Sequence, residues 1–325
     1  MAQTQPKVRY ITVEDEFSGQ RLDNFLLREL KGVPRSLVYR IVRRGEVRVN
    51  EGRTRASTRL CAGDRVRIPP LRTSNRSLPP PAEGLAVEVE TLYEDDYLIV
   101  VNKPAGLAVH AGSGIKVGLI EMLRHQRPND RFLDLVHRLD RDTSGCLVLA
   151  RRRSALRRLH EDLRLGTSGR NHFKKTYLAL VLGVWDAHGS VVEIPLRKNA
   201  QRGGERMVIP DEAGRYAKSR FTALDYFEQC TLMEVTLVTG RTHQVRVHAA
   251  ARGHPVLGDD KYGDREANSW SRNLGLRRLF LHASELGFVH PVTRERVEVE
   301  CALPPDLEGV LRKLEDGLAD VDNPD

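Results

Sequence analysis

Leu22, Phe25, Leu26 and Leu30 recur at three- and four-residue intervals, and Leu37, Val38, Ile41 and Val42 do so again after Gly32 and Pro34 break the run. Each set falls on one face of a helix, so two short helices are predicted here, the second stopped at Gly45. Arg35, Tyr39 and Arg43 fall on another stripe of that second helix. "EVRVN" and "DRVRIPP" then alternate apolar and polar residues, the pattern of short half-buried strands. Residues 19–70 therefore read as a small two-helix module with a small sheet, preceded by a loose arm over 1–18. "PPLRTSNRSLPPPAEGL" is rich in Pro and Ser and poor in apolar residues, and 71–85 reads as a linker stiffened by its prolines.

The pattern changes from about residue 86. "LAVEVETLYEDDYLIVVNKPAG" predicts two strands around a Glu-Asp-Asp turn. Further strands are expected at 146–150, 176–183, 219–225, 231–238 and 296–301, and helices near 117–126, 153–165 and 243–252. Strands outnumber helices and do not alternate regularly with them. This order predicts an α+β domain over 86–312, built on a mixed, mostly antiparallel sheet. Glu315 to Asp325 holds five acids and no Lys or Arg. The tail, 313–325, is expected to be disordered.

Composition narrows the class. No apolar run approaches the ~18 residues of a membrane span, and the first ten residues lack a signal-peptide core. The four cysteines, at 61, 146, 230 and 301, are scattered, so neither a zinc site nor a disulfide framework is indicated and a cytoplasmic location is expected. Charge is uneven. Residues 1–80 hold 17 Lys and Arg against 8 Asp and Glu, while the remaining 245 hold 35 against 36. A basic module on a near-neutral body points to a polyanionic partner or to a solvated arginine-rich surface.

The densest chemistry lies in "LVHRLDRDTSG", residues 135–145, between two apolar segments. Arg138 and Arg141 flank Asp140 and favour its ionised form. An ionised carboxylate on a rigid turn can serve as a nucleophile or a base; alternatively, Asp140 or Asp142 caps the turn and pairs with an arginine. His243 and His248 are five residues apart, poor spacing for a shared metal. Arg241, at a strand-to-helix junction, can reach a carboxylate or a phosphate. Tyr177 either stacks on a base or sits half-buried, and the basic run 151–158 either tracks phosphate or is solvated. The acid groups Asp259-Asp260 and Glu94-Asp95-Asp96 read as turns rather than as Mg²⁺ sites.

"HRLDRDTSG" resembles the signature of the pseudouridine synthases that modify ribosomal RNA, in the branch with an HRLD motif. "YEDDYLIVVNKPAG", "KTYLALV", "GRTHQVRVH", "GHPVLGDDKYG" and "LFLHA" resemble further blocks of that family, in its order. "RLDNFL", "VPRSLVYRIVRRGEVRVN" and "AGDRVRIP" resemble the alpha-L RNA-binding module named after a small-subunit ribosomal protein. The likeness runs over about residues 15–305. It implies isomerisation of specific uridines to pseudouridine in large-subunit (23S) ribosomal RNA by a monomer, with no metal or organic cofactor. It implies that Asp140 is the essential carboxylate and that Arg138 enters the RNA stack when the target base flips out. Tyr177 would pack on the flipped uracil or act as a base, and Arg241 would pair with Asp140. Arg35, Arg40, Arg43 and Arg44 are the candidate phosphate contacts of the small module. Leu139 would point away from the face shared by Arg138 and Asp140, while residues 141–144 would hold the turn and His137 would be structural. Two stretches depart from the pattern, the long Gly/Ser-rich segment 163–177 and the acidic tail. The same two modules would also suit a non-catalytic RNA-binding or ribosome-assembly factor, which would not need the aspartate.

Overall fold

The computed structural model describes residues 8–30, 33–71, 87–111, 117–165, 173–186, 189–202 and 205–321; the side chains of 16, 35, 199–206 and 318–321 also lie outside the description. Most of the linker, part of the 163–177 segment and the last four residues are therefore outside it. The chain separates into two compact units, Met1–Val87 and Glu88–Asp325.

The first unit runs β1 (Arg9–Thr12), α1 (Leu22–Glu29), α2 (Arg35–Arg43), β2 (Arg48–Val49), β3 (Gly52–Arg53) and β4 (Arg65–Ile68), with sheet order β1-β4-β2-β3. Phe25, Leu26, Val38, Ile41 and Val42 share one core with Val47, Val66 and Ile68, as the helical spacing predicts. Tyr39 Oη donates to Asp23 Oδ2 at 3.0 Å and ties α2 to α1. Arg40, Arg43 and Arg44 are exposed. The stretch read as a loose arm instead supplies β1, antiparallel to β4 with Ile11 opposite Val66. Pairing there satisfies backbone groups that an unattached β4 edge would expose.

The second unit runs β5 (Thr91–Glu94), β6 (Leu98–Lys103), α3 (Leu119–Gln126), β7 (Asp134–Leu135), β8 (Ser144–Ala150), α4 (Arg153–Leu165), β9 (Lys174–Leu182), β10 (Ser190–Glu193), β11 (Leu196–Arg202), β12 (Glu205–Pro210), β13 (Lys218–Tyr226), β14 (Cys230–Leu237), α5 (Gln244–Ala251), α6 (Arg265–Asn273), β15 (Leu281–Val289), β16 (Arg296–Glu300) and α7 (Pro305–Val321). Its main sheet has the order β10-β13-β14-β9-β15-β8-β6-β5, with β16 on β15 and β7 on β8. The β11–β12 hairpin stands apart. The only parallel pair among the described strands is β8 with β15, so the mixed, mostly antiparallel α+β reading holds. Both faces are covered. Ile99, Leu147, Ala179 and Leu281 pack with Leu119, Leu123, Val245 and Ala249 of α3 and α5, while Val100, Val148 and Phe288 pack with Ala155 and Leu159 of α4.

Two helices escaped the sequence pattern. The polar α6 starts at Asp264, whose side chain accepts from Ala267 N. The start of the acidic tail continues α7, which buries Leu307, Val310 and Leu314 and is helical to Val321. Its charge masked a helical stripe that the apolar positions carry.

Gly145, the second residue of β8, has φ 108°, and a Cβ there would lie 2.2 Å from the Ala283 carbonyl oxygen on β15. Backbone conformation and packing both require glycine. Gly145→Ala is expected to lower stability by at least about 1–3 kcal/mol. An unchanged melting temperature would show that the parallel pair tolerates a side chain.

Candidate active site

The charged turn is the connection from β7 to β8, and buried contacts hold it from beneath. Lys103, at the end of β6, is fully buried, and its ammonium donates to the carbonyls of Pro104, Leu107 and Arg141 at 2.7, 2.8 and 2.9 Å. Burial pushes Lys103 down to about 7, against the pull of Asp142 and Asp140. Thr143 N donates to Asp140 O at 3.3 Å, and Ser144 Oγ shares a 2.9 Å hydrogen bond with His282 Nδ1. His137 Nε2 accepts from Val148 N at 3.3 Å, a structural role.

Arg138, Asp140, Tyr177 and Arg241 line one cleft, with Leu139, Leu237, Val245 and Leu281 as apolar wall. Arg138 is exposed, and its guanidinium makes no hydrogen bond or ion pair among the described residues. Leu139 between the two charged residues is buried in the core. Tyr177 is 7% exposed on β9, and burial, then the charges of Asp140 and Cys146, raise its phenol. A raised phenol stays protonated near neutrality.

The charge partners of Asp140 differ from those the sequence suggested. Arg141 turns to Asp142 at 2.9 Å. Arg241 Nε donates to the Tyr216 carbonyl at 2.9 Å, and its own backbone N–H donates to Gln244 Oε1. The guanidinium beside Asp140 is that of Arg246, with Nη1 3.5 Å from Asp140 Oδ2. The reason is where α5 begins. Arg241 precedes the helix, whereas Arg246 lies within it at 7% exposure, aimed inward. The other edge of Arg246 grips Asp259 with two 2.7 Å hydrogen bonds. Burial alone would raise Asp259, but Arg246 and the Tyr262 and Lys261 N–H groups hold it below the usual carboxylate range. Burial alone would lower Arg246, but Asp259 and then Asp140 raise it. One permanently charged fork thus joins a buried structural carboxylate to the cleft carboxylate. The sequence did contain a signal: an arginine between valines in the apolar run "QVRVHAAA" needs a buried acid.

His243 was also missed. It adopts the left-handed conformation at φ 53° just before α5, and its Nε2 lies 3.9 Å from Asp140 Oδ2. Its Nδ1 lies 2.7 Å from Tyr262 Oη, which also accepts from Val208 N at 3.0 Å. His243 thus spans from the Tyr262 hydroxyl at Nδ1 to the Asp140 carboxylate at Nε2. His248 is structural, held by Ser219 Oγ and Ile194 O at 3.1 and 3.0 Å. Asp95 caps its turn through Tyr97 N and Leu98 N, both at 2.7 Å, and Arg151 pairs with Asp130 and Glu94 rather than standing free.

The cleft thus sets an exposed arginine beside an arginine-backed carboxylate, above an aromatic and aliphatic wall. The model of the RNA pseudouridylate synthase family matches residues 97–251, and that of the S4 domain matches 20–66. The chain belongs to the RNA pseudouridylate synthase family. It is 49% identical over 311 residues to the ribosomal large subunit pseudouridine synthase C of Haemophilus influenzae, covering 94% of this chain and 95% of that protein. It is 48% identical over 315 residues to the protein of the same name from Escherichia coli K12, covering 95% and 97%. Among solved structures, human RNA pseudouridylate synthase domain containing 4 superposes with a TM-score of 0.55 at 27% identity, over 70% of this chain and 93% of that one. No helix among the described residues is long and apolar enough to cross a membrane.

Proposed function

We propose that this protein isomerises specific uridines to pseudouridine in large-subunit ribosomal RNA, in the cytoplasm. The observation that carries the reading is Asp140 on the cleft wall, 3.5 Å from the Arg246 guanidinium and flanked by Arg138. The glycosidic bond from C1′ to N1 breaks, the uracil turns while held, and a C1′–C5 bond forms. C5 loses a proton and N1 gains one, so atoms and electrons balance without a co-reactant. Asp140 either attacks C1′ or removes the 2′ proton, and both routes need its ionised form. The target base must leave the stack to reach it. Arg138, a planar cation without a protein partner, is suited to fill the gap. Tyr177 and Leu281 then flank the uracil. Arg241, on the rim, is assigned to the substrate phosphate rather than to Asp140.

On this reading residues 19–70 are the RNA-binding module and 86–312 the catalytic domain. The exposed Arg40, Arg43 and Arg44 supply phosphate contacts; Arg35 opens the same helix. Replacing the exposed three with alanine is expected to flatten the dependence of log affinity on log salt by about 0.7–0.9 for each phosphate that is no longer neutralised, with the melting temperature unchanged. An unaltered salt slope would move the phosphate-binding surface elsewhere.

The test of the function is tritium release from large-subunit RNA carrying 5-tritiated uridine, in the presence of chelator. Release is expected. Tight RNA binding without release, on naked RNA and on assembling particles alike, would instead mark a binding factor.

A further inference from the structure

A second, larger cleft lies on the other side of Tyr262 from Asp140. It encloses about 760 Å³ between β12, α5 and the turn leading into α6, within the usual range for small-ligand sites. One wall is apolar and made of small side chains, Val247, Ala250 and Ala251 on α5, faced by Ile209 of β12. The rim is cationic. Lys261, Arg265 and Arg272 line it with one acid, Asp260, which lies 3.9 Å from Arg272. Arg265 is exposed and has no hydrogen bond or ion pair among the described residues. A flat apolar wall with an aromatic edge and a cationic rim is the arrangement that takes a base by its face and a phosphate by its charge.

The two clefts share structure. Tyr262 lines the larger one, and its hydroxyl holds His243, which faces Asp140. Val208 of β12 lines the larger cleft too and donates its N–H to that same hydroxyl. An occupant of this cleft therefore sits one tyrosine and one histidine away from the catalytic carboxylate.

We propose that this cleft takes a second unstacked nucleotide of the substrate RNA, close to the target uridine, with its base on the Val247–Ala251 face and its phosphate on Arg265. The inference rests on the function proposed above, because flipping one base out of a stack frees its neighbours. The cleft thereby sets which RNA contexts are accepted, through the neighbours of the target rather than the target itself. A peptide from a ribosomal protein is the competing occupant.

The experiment uses the full chain and an RNA fragment carrying a uridine shown to be modified by wild type. 2-Aminopurine replaces the flanking nucleotides one at a time, since its fluorescence rises when it leaves the stack. Ala251 is exposed at the last position of α5, so Ala251→Trp fills the cleft without entering the core. One flanking position is expected to brighten on binding wild type, and Ala251→Trp to abolish that rise. KM should increase about five- to hundredfold, the span of one base-stacking interaction, with kcat at saturating RNA within about twofold. Arg265→Ala, which needs no cleft filling, should weaken binding and lower the salt slope by about 0.7–0.9. Wild-type KM and salt slope in Ala251→Trp and Arg265→Ala, or no flanking position that brightens while wild type releases tritium, would overturn the proposal and leave the cleft to a protein partner. Absence of tritium release by wild type would instead sink the underlying function.

Discussion

Asp140→Asn is expected to lose tritium release by at least about 10²–10⁴-fold, while keeping its melting temperature and its affinity for RNA. The amide is nearly isosteric, so the cleft keeps its shape. Asp140 carries little of the fold: its side chain is 18% exposed, and its nearest cation, at 3.5 Å, is anchored by Asp259 instead. The turn itself is held by Lys103 on the Arg141 carbonyl and by Ser144 on His282. What the substitution removes is the negative charge that either route needs. Substantial release by the variant would put the chemistry on another group and undo the assignment.

Arg246→Met is expected to act on stability and activity together. Asp259 is 1% exposed and would be left buried without its cation, a defect that costs about 3–5 kcal/mol. The Lys261 and Tyr262 N–H groups still reach Asp259 Oδ1, at 2.9 and 3.0 Å, which places the loss at the lower end of that range. Asp140 would meanwhile lose the guanidinium that faces it. The double variant Arg246→Met with Asp259→Leu separates the two effects. Removing both charges is expected to restore much of the melting temperature, because a buried pair replaced by apolar groups is often close to neutral. Activity is expected to stay absent. Arg246→Lys keeps the charge but not the fork, and one ammonium cannot grip Asp259 twice while facing Asp140. Arg241→Met, by contrast, should raise KM more than it lowers kcat. A fully active, normally melting Arg246→Met alongside an inactive Arg241→Met would return the role to Arg241.

The charged turn, the small basic module and the strand-rich second unit were legible in the chain because each depends on residues close in sequence. Periodicity marks α1, α2 and α4 since an apolar stripe is a local property, and β8 and β14 announce themselves as apolar runs between turns. The turn at 137–145 was recognisable for the same reason: its chemistry is concentrated in nine consecutive residues. Partner choice was not legible. Arg241 and Arg246 stand in one short block, and only the point at which α5 begins decides which of them enters the core and meets Asp140. Local charge favoured Arg141 as a neighbour of Asp140, yet an adjacent carboxylate, Asp142, captures it. The requirement for glycine at 145 comes from Ala283 on a distant strand, and the placing of His243 beside Asp140 comes with Tyr262, which meets its Nδ1. The cleft beneath β12 has no signature in the chain, since its walls come from three separate stretches. Sequence by itself determined which elements form and which chemical groups are available; the tertiary structure decided which groups meet, because ion pairs and cavities depend on distances that only the packed chain sets.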